Sequence, residues 1–258
     1  MASPAGSNSA RPEDSGLAFV AGATGFTGRE VVRLLCERGI QTVAHVRPDS
    51  ARLEEWREIF AKLGARVDFT PWEEAALAEA FARLQPAWVF ALLGTTRARA
   101  RRAARMGLDP AAESYEAVDY GLTSLLIRAA ARCASLRRFV YLSAVGAGAK
   151  FSARSPYYRA RVQAEALLKA SGLPFTIARP SFIAGPGRDD PRPLERLGAV
   201  VADGLLEVAA SLGARAIRDR YASLTNTALA TALVDLALDP AAENRVIECE
   251  ELRKRSRS

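Results

Sequence analysis

The stretch that most restricts what this chain can fold into is Gly22-Ala-Thr-Gly-Phe-Thr-Gly28, set between Leu17-Ala-Phe-Val-Ala21 and Arg29-Glu-Val-Val-Arg-Leu-Leu35. The five residues before it are mostly apolar, follow a leader rich in proline and serine, and stop at a glycine, which predicts a strand. After it, Val31, Leu34 and Leu35 recur at i, i+3 and i+4 and Arg38-Gly39 follows, which predicts a helix with a glycine stop. Glycines alone are weak evidence. Between a strand and a helix they predict a dinucleotide cradle, because the missing side chains let a pyrophosphate approach the backbone and the helix N-terminus offers free N–H groups and a positive dipole end. Gly22, Thr24, Gly25, Phe26, Thr27 and Gly28 are the candidate cofactor contacts there. The alternative is a plain turn.

The rest of the chain repeats the pattern. Residues 41–46 read as a strand and 66–69 as a short one, with a helix between them capped by Asp49 or Ser50 and running to about Leu63. Residues 73–84 read as a helix, and 87–93 as a buried strand ending in Gly94-Thr95-Thr96. A long helix is expected over 113–134, a strand over 138–142, a helix over 156–170 and a strand over 174–178. Apolar strands alternating with helices predict an α/β fold, a doubly wound parallel sheet of the Rossmann type. Past Pro180 the alternation fades into a Pro/Gly-rich loop, two weaker helices at 194–212 and 227–238, and short strands at 217–224 and 246–249. No solenoid-length repeat is present. The expected organisation is a disordered leader over 1–15, one domain over 16–250 whose last third (181–250) closes over a substrate or partner, and a basic tail over 251–258.

With 49% hydrophobic residues in 258, a sizeable single core is available. The leader lacks the apolar stretch of a signal peptide. No apolar run reaches the length of about 18 needed to span a bilayer, so no membrane contact is expected. Cys36, Cys133 and Cys249 are odd in number and widely spaced, which suggests reduced thiols in a cytoplasmic protein. With one histidine, His45, and no C-x-x-C, no metal site is expected. The net charge of +7 comes largely from Arg97, Arg99, Arg101, Arg102 and Arg105 and from Arg253, Lys254, Arg255 and Arg257. Without interleaved aromatics these read as a solvated loop and a tail, and nucleic acid is not expected as a partner.

In doubly wound sheets ligands bind beyond the carboxyl ends of the strands, which nominates Arg47, the 94–97 turn, Ser143 and Arg179 beside the glycine turn. Arg47 lies 25 residues past Gly22, near where an acid would hold the ribose of NAD, and a guanidinium there suits a 2′-phosphate. NADPH is therefore favoured over NADH, with Arg29 a second phosphate contact. The plainer alternative for Arg47 is a solvated loop arginine.

These residues together with Leu93-Gly-Thr-Thr-Arg97, Val118-Asp-Tyr120, Tyr141-Leu-Ser143, Tyr157 and Ala178-Arg-Pro180 resemble the atypical short-chain dehydrogenase/reductases. The G-x-x-G-x-x-G spacing is similar to that family's. Within it the chain most resembles the Tat-interacting-protein oxidoreductase group, with NmrA-like proteins as relatives, over about 17–197. The resemblance implies an NADP-binding Rossmann fold in which Gly94, Thr95, Thr96 and Arg179 border the cofactor. It also implies a catalytic set of a serine after the fifth strand and a Tyr-x-x-x-Lys helix. Here those positions are Ser143, Tyr157 and Arg161. The serine would bond the substrate oxygen, the tyrosine would donate a proton, and a neighbouring cation would hold the ribose and stabilise the phenolate. Arginine supplies a field but cannot deprotonate to relay a proton. Two functions follow: an oxidoreductase reducing a small carbonyl substrate, or a catalytically impaired NADPH-binding module for a protein partner.

Overall fold

The computed structural model describes residues 16–149, 154–181, 183–184 and 224–256. The apolar runs become strands β1 (Leu17–Ala21), β2 (Gln41–His45), β3 (Arg66–Asp68), β4 (Trp88–Ala91), β5 (Arg138–Leu142) and β6 (Phe175–Arg179). The helices between them are α1 (Phe26–Glu37), α2 (Leu53–Lys62), α3 (Glu74–Leu84), α4 (Arg97–Arg105), α5 (Thr123–Ala130) and α6 (Pro156–Ala170). A pair of two-residue strands, β7 (Ile183–Ala184) and β8 (Leu224–Thr225), precedes α7 (Asn226–Leu238), β9 (Arg245–Glu248) and α8 (Cys249–Arg255). The main sheet runs β3-β2-β1-β4-β5-β6-β9 with every pair parallel. This is the doubly wound Rossmann order, and the chain reverses its winding between β1 and β4.

The sheet needs both faces covered because its strands are apolar on both. In β1, Ala18 and Val20 pack with Val31, Leu35, Leu229 and Leu233 of α1 and α7, while Phe19 and Ala21 pack with Leu77, Phe81, Leu126 and Leu168 of α3, α5 and α6.

Three expectations need correction. Two elements read into the cap belong to the core instead: α7 lies against α1, and β9 adds to the sheet beside β6. The helix expected over 194–212 lies outside the described residues. The arginine run is helix α4, and the start of the supposed tail is α8, in which Lys254 pairs with Glu250 and Arg255 with Asp239. The long helix expected over 113–134 is broken into a 3₁₀ turn (Pro110–Glu113), a π-helical stretch (Glu116–Leu122) and α5. Gly121 is part of the reason, since a β-carbon there would stand 3.3 Å from the Glu116 carbonyl oxygen across the widened turn. Such wide turns favour functional positions, and this one carries Asp119.

Candidate functional site

The glycines of the first turn do three different jobs. Gly22 has φ +81° and would press a β-carbon 2.6 Å from the Leu92 carbonyl oxygen, so it makes both the turn and the close approach to the end of β4. A β-carbon on Gly28 would overlap the Gly22 carbonyl oxygen, so Gly28 sets how closely α1 meets the strand. A β-carbon on Gly25 meets only the Gly22 oxygen, at 3.1 Å, and otherwise points into open space. Gly25 is also the N-cap of α1, with no side-chain cap and no acid in the first helical turn. The first turn of α1 thus starts at the β1/β4 switch point beside the open space at Gly25, a hollow at whose edge the positive helix end carries no side-chain carboxylate. A pyrophosphate fits these features. Thr24 and Phe26 lie half-buried on the turn, and Thr27 is buried.

Around the hollow, Arg47 follows β2 and pairs with Glu113 at 2.9 Å, with Asp49 more distant at 3.7 Å. The other Glu113 oxygen accepts from the Thr95 hydroxyl at 3.2 Å. Arg29 lies over the Trp56 ring, 5.9 Å from its centroid, and Arg52 over the same ring at 4.7 Å. Thr96 caps α4 by accepting from the Arg99 amide.

Arg161 is 5% exposed and its guanidinium is already engaged. Nη2 lies 2.7 Å from Asp119 Oδ1 and donates to the Leu93 carbonyl at 3.1 Å, while Nη1 donates to the Leu142 carbonyl and the Tyr141 hydroxyl. Asp119 is wholly buried and its Oδ2 accepts from the Thr95 amide at 3.0 Å. Arg161 therefore fastens the ends of β4 and β5 to the π-helical turn. It lies directly beneath the Gly94–Thr96 turn, since a β-carbon on Gly94 would stand 2.9 Å from Nη2. Burial works against its charge, but Tyr141 and Asp119 outweigh burial and hold its pKa above the ordinary range. The Tyr141 pKa rises as well: burial, against the pull of Arg161, pushes it up to about 12.

Ser143 donates its hydroxyl proton to Glu165 Oε1 at 2.6 Å. Glu165 is 3% exposed and also receives Arg179 through Nε at 2.9 Å and Nη2 at 2.6 Å. Arg179 Nη1 donates to Glu248 at 2.9 Å, so this guanidinium clamps β6 to α6 and β9 and is not held free for a cofactor. Its hydrogen bonds to Glu165 raise its pKa further. Tyr157 is half-buried, with ring contacts to Tyr115 at 5.3 Å and Tyr158 at 5.2 Å, and the Arg161 guanidinium 5.4 Å from its centroid. A cavity of about 250 Å³ is lined by Thr96, Ala100, Glu113, Tyr115, Glu116 and Arg159 among others; Tyr157 is not in its wall and reaches it through its ring contact with Tyr115.

The sequence nominated the basic and hydroxyl groups of this site and missed the acids that engage them: Glu113, Asp119 and Glu165. Asp119 stood within a quoted motif, but its role depends on a contact with Arg161 across the fold.

A family model described as NAD(P)H-binding matches residues 22–204. No curated protein sequence matches the chain. Among solved structures, a Bacillus halodurans protein assigned as an NAD-dependent epimerase/dehydratase superposes with a TM-score of 0.63 at 19% identity, covering 93% of this chain and 99% of that one. A Bordetella bronchiseptica enzyme in complex with NAD+ gives 0.60 at 18% identity over 93% and 80%. UDP-glucose 4-epimerase of Thermotoga maritima gives 0.58 at 20% identity over 92% and 80%. At these identities the likeness is one of fold.

Proposed function

The chain belongs to the NAD(P)H-binding family, and on that footing we propose that it binds NADPH in the Gly22–Gly28 hollow and acts through occupancy of that site, as a regulatory or protein-interaction module. The glycine turn and the α1 amides would hold the pyrophosphate, Arg47 the 2′-phosphate, and the Gly94–Thr96 turn would border the nicotinamide half. A bound nicotinamide would supply a hydride.

The observation that carries the module reading is the Arg161–Asp119 pair. A cation can assist a tyrosine acid only through an uncompensated field. With a carboxylate 2.7 Å away, Arg161 presents Tyr157 with a compensated pair. Its two Nη nitrogens are also held by Leu93, Leu142 and Tyr141, and so are not available to ribose hydroxyls without breaking buried bonds, while Nε is buried without a partner among the described residues.

A second reading, reduction of a small carbonyl substrate, is favoured by the cavity one of whose walls, Tyr115, packs against Tyr157. Ser143 would have to turn its proton from Glu165 to the substrate. Glu165 tolerates that, since Arg179 and Lys169 still neutralise it. The two readings divide in single-turnover NADPH oxidation with a panel of aldehydes and ketones, run beside calorimetric NADPH binding. The module reading expects binding without oxidation, and Tyr157→Phe as tight a binder as the wild type. A carbonyl reduced by the wild type and about 100-fold more slowly by Tyr157→Phe would establish the reductase instead. Absence of NADPH binding would remove both.

A further inference from the structure

Helix α4 reads Arg-Ala-Arg-Ala-Arg-Arg-Ala-Ala-Arg and turns Ala103 inward, 7% exposed, toward the 3₁₀ turn on which it packs. Arg99, Arg101, Arg102 and Arg105 are exposed, and none is paired with a carboxylate among the described residues. This sets them apart from Arg33, Arg52, Arg57, Arg128 and Arg245, each of which has a carboxylate partner. Arg101 and Arg105, one turn apart, share a face with Arg102 beside them. Immediately after the helix stand Met106, 64% exposed, and Leu108, 60% exposed, two of the three large apolar side chains left exposed among the described residues. The adjacent acid, Asp109, is turned onto the Ala111 amide.

We propose that α4 and residues 106–108 form a docking surface for an anionic lipid bilayer, a site independent of the nucleotide hollow. A helix, unlike a solvated loop, keeps Arg101 and Arg105 on one face with Arg102 beside them, and the two exposed apolar residues follow directly at its C-terminal end. A bilayer surface accepts both features, the guanidinium groups at the anionic headgroups and the apolar chains at the acyl boundary. A nucleic-acid backbone would take the arginines but leave Met106 and Leu108 in water, and no aromatic residue lies within 97–110 to stack a base. No helix among the described residues is long and apolar enough to cross a membrane, so the contact proposed is with the surface.

The test is co-sedimentation of the full chain with phosphatidylcholine vesicles, with and without about one third phosphatidylserine, across a salt series. Binding should require phosphatidylserine and weaken as salt rises. The triple variant Arg101→Ala/Arg102→Ala/Arg105→Ala keeps strong helix formers in place and should bind about 100-fold more weakly, roughly fivefold for each arginine near the surface. Met106→Ser/Leu108→Ser, which removes no charge, should weaken binding several-fold and leave the salt slope unchanged. Circular dichroism checks that each variant is folded. Equal binding to both vesicle types, or a folded triple variant that binds like the wild type, would overturn the proposal. So would tight binding to duplex DNA that is indifferent to Met106→Ser/Leu108→Ser and exceeds binding to the vesicles, since that pattern marks a phosphate-backbone surface.

Discussion

Glu113 pairs with Arg47 at 2.9 Å while its second oxygen takes the Thr95 hydroxyl, so one carboxylate joins the ends of β2 and β4 across the mouth of the β1 turn. On the proposed assignment, a 2′-phosphate arriving at Arg47 would compete with that carboxylate. Arg47 is half exposed, so the pair it gives up is a weak one, worth about 0.2–1 kcal/mol.

Arg47→Ala should therefore weaken NADPH by about 1–3 kcal/mol and leave NADH unchanged, the scale of a lost charge-assisted contact. Glu113→Gln should act oppositely and strengthen NADPH by up to about 1 kcal/mol, by removing the competitor. Fluorescence titration of both cofactors reads both changes. Equal wild-type affinities for NADPH and NADH would end the 2′-phosphate assignment.

The two glycines that bracket the turn's second half should separate binding from folding. Gly25→Val puts a branched side chain in the hollow at little cost to the fold, because its β-carbon meets only one atom. Calorimetry should find cofactor binding abolished with the melting temperature nearly unchanged. Gly28→Ala forces its methyl into the Gly22 carbonyl and should cost about 1–3 kcal/mol of stability or more. A Gly25→Val protein that binds normally would reduce the motif to a turn.

Removing Arg161 strands a wholly buried carboxylate. Arg161→Met should lose about 3–5 kcal/mol in urea unfolding, and Asp119→Asn/Arg161→Met should recover part of it because the uncompensated charge is gone. Arg161→Lys should fall between, since one ammonium cannot reach Asp119, Leu93 and Leu142 together. A lysine variant as stable as the wild type and newly active in NADPH oxidation would mean that the relay needs only the family residue.

His45 carries a pH dependence. It is 3% exposed, with Nε2 2.8 Å from the Thr70 carbonyl oxygen, and burial lowers its pKa against the opposing pulls of Thr70 and Asp68. The unfolded chain therefore takes up the proton first, near pH 6.5, and the folded chain only at lower pH. Its contribution is fully present above about pH 7 and is lost as pH falls through the unfolded value, by up to about 1.4 kcal/mol per pH unit. His45→Gln should flatten the decline in stability between about pH 7 and 5.5, as followed by urea unfolding at a series of pH values. Wild-type and variant curves that stay parallel would exclude His45 as the source.

Much of the fold was legible because it obeys local rules. Five-residue apolar runs must be buried, α1 announces its stripe, and a residue at φ +81° beside a carbonyl oxygen is best met by glycine. β9 was legible as a short strand but not as the edge of the main sheet, because Arg-Val-Ile-Glu buries little, and α4 was not legible because a run of arginine and alanine has no apolar stripe.

The sequence by itself determined the layered α/β fold, the glycine hollow after β1 and which basic and hydroxyl side chains stand at the strand ends. The tertiary structure alone decided what those side chains hold. Arg47 meets Glu113 across 66 positions, Arg161 bonds the Leu93 carbonyl across 68, and Ser143 reaches Glu165 across 22. An arginine in a sequence is equally ready for a phosphate, a ribose or a carboxylate. Which of these it meets depends on long-range contacts that exist only once the sheet has brought the strand ends together and burial has made an unpaired charge too costly to leave.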